Sequence, residues 1–167
     1  MRGRTGLIVV VLLMAAVVVQ TTLFGRTRLV TPDLVLLLII ILCLTRIRPE
    51  ITLAVAFTSG LMIDLLGPSA LGLRAVVYTT VAYLGIRTRD RAEIGRVAVA
   101  LWAGALTLLG VVLLMLIGTL FGQSSLLGEN TLSRLILVPL ANLAIGAAVA
   151  PIVVRLVDRD KTAFRYP

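Results

Sequence analysis

Two opposite charges, Asp64 and Arg74, lie ten residues apart inside apolar sequence, in the stretch Gly60–Arg74 that reads GLMIDLLGPSALGLR. A charged side chain deep in a bilayer costs roughly 2.5–3.5 kcal/mol on insertion scales, so such residues usually have a use. Three uses are open here. The pair can fix the register of a helical hairpin, it can be a contact for another membrane protein, or Asp64 can carry a proton or ion. If the helix holding Asp64 starts near Ile51, Asp64 lies about fourteen residues along it, roughly 20 Å from its start. Gly67-Pro68-Ser69-Ala70 then makes a tight turn, which returns Arg74 to the same depth in the first turn of the next helix. That geometry allows an ion pair near one surface. Transport favours polar groups near the midplane, and no second intramembrane carboxylate is evident as a relay. Asp64 is therefore read as a contact and fold determinant rather than a catalyst.

Other chemistry is scarce. The chain has no histidine, which removes the commonest metal ligand and the commonest general base. No nucleophile elbow, phosphate-binding loop or zinc-protease motif is present. Seven of the eight carboxylates sit at or beyond the ends of apolar runs, and Asp90 and Glu93 lie in an arginine-rich loop as a compensating cluster. The only cysteine, Cys43, is inside an apolar run and reads as a small hydrophobe. No cofactor, metal or enzymatic activity is expected.

The elements that must position Asp64 follow from hydropathy. The chain is 59% hydrophobic over 167 residues, with a mean hydropathy of +1.09. Soluble domains are near 45–50% apolar, so this reads as an all-α integral membrane protein. Apolar runs bounded by charges and turns predict six spans, at about 6–24, 32–45, 51–66, 71–86, 97–121 and 134–157. They form one transmembrane domain. Alternation with period two is absent, which argues against a barrel. The first run is longer than a signal-peptide core and lacks an A-x-A site, so it reads as a retained span.

The net charge of +8 is not a nucleic-acid footprint, because the basic residues lie at the ends of apolar runs. Twelve of them fall on one side of the six-span topology: Arg2, Arg4, Arg46, Arg48, Arg87, Arg89, Arg91, Arg96, Arg155, Arg159, Lys161 and Arg165. Four fall on the other: Arg26, Arg28, Arg74 and Arg134. This bias places both termini in the cytoplasm.

The second and third runs are short. Either their helices extend through flanking arginines, or the other four helices shelter them. Thr31 suits an N-cap for the second span, Pro32 its first helical position, and Asp33 the positive end of its dipole. Ala100-x-x-x-Gly104 and Gly118-x-x-x-Gly122 in the fifth span are small-residue pairs that allow close helix approach, within the bundle or to a partner. Pro139 is expected to kink the sixth span, and Asn142 to hydrogen-bond to a neighbouring helix.

Thr31-Pro32-Asp33-Leu34 and Gly60-x-x-x-Asp64-Leu65-Leu66, followed by Gly67-Pro68 and Leu71-Gly72, resemble the corresponding motifs of the MreD family of rod shape-determining proteins. The resemblance implies a non-enzymatic membrane component of the bacterial elongation machinery. Its partners would be MreC, a single-span protein, with the glycosyltransferase RodA and a class B penicillin-binding protein, and an indirect link to actin-like MreB. It also implies a fold similar to the substrate-binding subunits of ECF vitamin transporters. On this reading Pro32, Asp33, Gly60, Asp64, Gly72 and Arg74 carry partner contact or the fold. Ala100, Gly104, Gly118, Gly122 and Asn142 pack helices. Two alternatives stay open: a solute-binding transporter subunit, in which Asp64, Arg74, Glu129 and Asn142 would converge on a polar cavity, and a small ion or proton carrier using Asp64. The plain Gly-Pro-Ser-Ala turn, where some relatives carry extra polar residues, argues against a small-molecule pocket.

Overall fold

The computed structural model describes residues 3–24, 32–67, 70–89, 96–122 and 131–162. It contains six α-helices, and no strand among the described residues. They are α1 (Gly3–Val19), α2 (Leu34–Cys43), α3 (Pro49–Leu66), α4 (Leu73–Thr88), α5 (Arg96–Leu120) and α6 (Thr131–Thr162). A π-helical turn, Gln20–Phe24, ends the first helix. Four of the six, α1, α3, α5 and α6, are long and apolar enough to cross a membrane.

The centre of the bundle is α2. It touches each of the other five helices, and every side chain from Val35 to Cys43 is buried. The reason is visible in LVLLLIIILC, which is apolar on all sides. A helix with no polar face has none to give to water and is buried all round. Its ten residues make only about 15 Å of helix, half of a hydrocarbon core of about 30 Å. The expected span 32–45 is thus shortened at both ends. Of the two ways to accommodate a short run, the structure uses shelter by neighbours for α2. Around it, α3 packs on α4, α4 on α5, α5 on α6 and α6 on α1.

The sixth helix is longer than expected. It begins at Thr131 rather than Arg134, ends at Thr162 rather than Val157, and continues through Pro139 and Pro151. Contacts across the bundle fix which ends lie together. The backbone N–H of Arg46 donates to Asp158 Oδ1 at 3.1 Å, and the Trp102 indole donates to Thr88 Oγ1 at 2.9 Å. The start of α3 and the ends of α2, α4 and α6 therefore share one end of the bundle, here the termini end. The α3–α4 turn marks the opposite, turn end.

Two glycines shape this architecture in different ways. A Cβ on Gly60 would lie 2.6 Å from Ala75 Cα and 2.7 Å from its backbone nitrogen, so α3 and α4 meet backbone to backbone there. Gly122 follows the last turn of α5 with φ +78°, and its N–H donates to Thr119 O at 3.0 Å. Its absent side chain would face open space. Among the described residues, Gly122 packs against no neighbouring helix. It closes α5 in a left-handed conformation that suits glycine.

Candidate functional site

Gly60 and Asp64 are one helical turn apart and share a face of α3. The close approach at Gly60 brings the first turn of α4 against Asp64. Asp64 Oδ2 accepts the backbone N–H of Arg74 at 2.9 Å, and Asp64 Oδ1 lies 3.8 Å from Arg74 Nε. The first contact explains why the second exists. The α4 N-cap is Gly72, held at φ +89°, and it has no side chain to satisfy the open N–H groups of the first turn. Asp64 supplies the missing cap from the neighbouring helix. Its charge also faces the positive end of the α4 dipole. The spacing of the two charges suggested only the ion pair; the backbone bond is the shorter contact.

The second centre is Asp33. It does not follow the cap, as the sequence suggested, but is itself the N-cap of α2: its Oδ1 accepts the Leu36 N–H at 3.1 Å. A short carboxylate reaches the third residue of a helix from this position, which is why Asp is favoured there. Pro32 is buried just ahead of it rather than inside the first turn, and Thr31 lies outside the described residues. The other oxygen of Asp33, Oδ2, accepts the Tyr78 hydroxyl at 2.7 Å. The Asp33 backbone carbonyl accepts Asn142 Nδ2 at 3.1 Å, and Gln20 Oε1 accepts the Val35 N–H at 3.2 Å. The first turn of α2 is therefore held by side chains from α6, from α4 and from the π-helical turn.

Arg74 joins the two centres. Its guanidinium lies beside Asp64, and Tyr78, the partner of Asp33, is one turn further along α4. Tyr78 and Asn142 are fully buried, whereas the Arg74 side chain is 28% exposed and reaches the surface. Through Tyr78 and Arg74, one turn apart on α4, Asp33 and Asp64 lie at the same end of the bundle, which their separation in sequence did not suggest. The charged group beside Asp64 is Arg74, and arginine does not release a proton. Each carboxylate already accepts from a helix N-terminus. These bonds tie α2 and α4 to their neighbours at this end of the bundle. No group of three or more His, Cys, Asp or Glu residues that could hold a metal occurs among the described residues.

The remaining site residues divide. Gly104 lies under α6, where a Cβ would meet Leu143 Cδ1 at 3.1 Å, and Ala100 and Gly118 are buried. Asn142 is further held by a 3.4 Å contact from Nδ2 to Thr107 Oγ1, while its Oδ1 has no hydrogen-bond partner among the described residues. Glu129 lies outside the described residues. Tyr78, Gln20 and Thr107 were not singled out from sequence. Tyr78 had a signal, because it lies four residues after Arg74 and so on the same helix face. Gln20 and Thr107 had none beyond being polar in apolar runs.

The model of the family "rod shape-determining protein MreD" matches residues 2–158 of the chain. No curated protein and no solved structure matches it.

Proposed function

The chain belongs to the MreD family of rod shape-determining proteins, and on that premise we propose that it is a non-enzymatic scaffold of the elongation machinery that binds an MreC-like single-span protein. Membership of the family gives it a role in rod-shape determination, and its apolar helices make it a multi-pass membrane protein. The finer reading rests on one observation: the hairpin of α3 and α4 is fixed by Gly60 and Asp64 and presents Leu65, Leu66 and Leu71, each more than 60% exposed, around the partly exposed Arg74. Rigid apolar anchors beside one charge are what a partner helix end can read. Through MreC the scaffold would act with RodA and a class B penicillin-binding protein, and indirectly with MreB, to regulate peptidoglycan synthesis. The arginine bias puts both termini in the cytoplasm and this hairpin at the outer face of the inner membrane.

A second reading, a solute-binding subunit like those of ECF transporters, draws on the convergence of Asp33, Asp64, Arg74 and Asn142 and on the unpaired Asn142 Oδ1. Co-purification from membranes decides between them. The scaffold reading expects an MreC-like protein to be retained, and Leu65→Ser with Leu71→Ser to release it without loss of fold. A monodisperse protein that instead retains a vitamin-like ligand would sink it.

A further inference from the structure

At the termini end, Tyr83 and Arg87 are four residues apart on α4, and the Arg87 guanidinium carbon lies 5.4 Å from the centre of the Tyr83 ring. Both are exposed, Tyr83 at 47%, and with Val76 at 51% they form a stripe on the outer face of the helix. An aromatic ring and an arginine near the end of a helix in a membrane-embedded bundle suit the level where hydrocarbon meets headgroups. Stacking uses only the flat face of the guanidinium. Its in-plane N–H donors remain available for the fork geometry that matches phosphate.

The charge around this pair favours an anion. Among the described side chains, this end carries Arg4, Arg46, Arg48, Arg87, Arg89 and Arg155 against Glu50 and Asp158. Both carboxylates are engaged, Glu50 with Arg48 at 3.5 Å and Asp158 with the Arg46 N–H. We propose that Arg87, held in place by the Tyr83 ring, seats the phosphate of an anionic phospholipid whose acyl chain lies along Val76 and Tyr83. The ligand chemistry is a phosphate oxyanion, and the apolar stripe assigns it to a lipid rather than to free phosphate. The inference rests on the protein being in a membrane and is independent of which partner it binds.

The chain carries its own probe. Its one tryptophan, Trp102, donates to Thr88, the residue next to Arg87. The test titrates the full chain in detergent with phosphatidylglycerol, phosphatidylcholine or inorganic phosphate, reading Trp102 emission and lipid retained in native mass spectra. Phosphatidylglycerol is expected to bind at least about fivefold more tightly than phosphatidylcholine, and Arg87→Gln to remove about that factor, the value of one basic residue near a charged surface. Tyr83→Leu should weaken binding and Tyr83→Phe preserve it. Equal binding of the two lipids, an unaffected Arg87→Gln, or an equal loss from the exposed Arg155→Gln would overturn the site. Inorganic phosphate binding as tightly as phosphatidylglycerol would overturn the lipid assignment.

Discussion

Two ion pairs of nearly equal length mark the two ends of this bundle. Arg74 and Asp64 lie 3.8 Å apart at the turn end, with side chains 28% and 0% exposed; Arg48 and Glu50 lie 3.5 Å apart at the termini end, 78% and 72% exposed. The shorter pair is the weaker one. In a solvated setting an ion pair gains little and pays side-chain entropy. At the turn end, the Asp64 carboxylate also accepts a backbone N–H of the first turn of α4, so its removal leaves that part-buried donor open. Charge builds the fold at one end and faces the surroundings at the other.

This contrast can be broken in stages. The largest effect is expected from Asp33→Ala, which removes the α2 cap and leaves the Tyr78 hydroxyl without an acceptor. A loss of about 2–4 kcal/mol follows from combining the cost of a lost cap with that of an unpaired buried donor, read as a lower melting temperature in detergent. Asp33→Asn should recover most of the cap portion, since Asn caps as well as Asp. Gly60→Ala comes next. Its methyl group would collide with the α4 backbone, at a cost of about 1–3 kcal/mol typical of overpacking, and proteolysis at the hairpin should quicken. If instead the melting temperature is unchanged, the helices do not meet as closely as 2.6 Å implies.

Smaller effects sharpen the comparison. Asp64→Asn keeps an acceptor for the Arg74 N–H but removes the charge. It should cost about 1 kcal/mol, the difference between a charged and a neutral hydrogen bond, and partner retention should fall further than stability does. Exchanging the charges, Asp64→Arg with Arg74→Asp, should fail to restore the protein, because arginine cannot accept the backbone bond. Last, Arg48→Gln should change stability by no more than ~0.5 kcal/mol. A larger drop in melting temperature would show that the exposed pair has a structural role.

Much of this was legible in the sequence, for physical reasons. Charges flanking apolar runs gave the number of helices. The ten residues from Asp64 to Arg74 with a Gly-Pro turn between them could place the two side by side only in a hairpin. A lone Asn142 in an apolar run had to find a partner. What the sequence hid was which partner. Asn142 reaches the Asp33 carbonyl, 109 residues away, and nothing local encodes that distance. The central position of α2 was readable in principle from the eleven successive apolar side chains Leu34–Leu44, but a lipid-facing span reads the same way unless its shortness is weighed. Gly122 was ambiguous because a small residue four from Gly118 looks the same whether it packs a neighbour or ends a helix.

The dependence of α2 on distant residues also governs how the protein can be made. A ten-residue helix is too short to cross a bilayer by itself, and its opening turn is held by Gln20, Tyr78 and Asn142. Two of those three are synthesised after it, and Asn142 belongs to the sixth of the described helices. Until α6 emerges, the nascent chain holds an unfinished centre that lipid or a chaperone must cover. The centre of this bundle is therefore completed only once α6 has joined it.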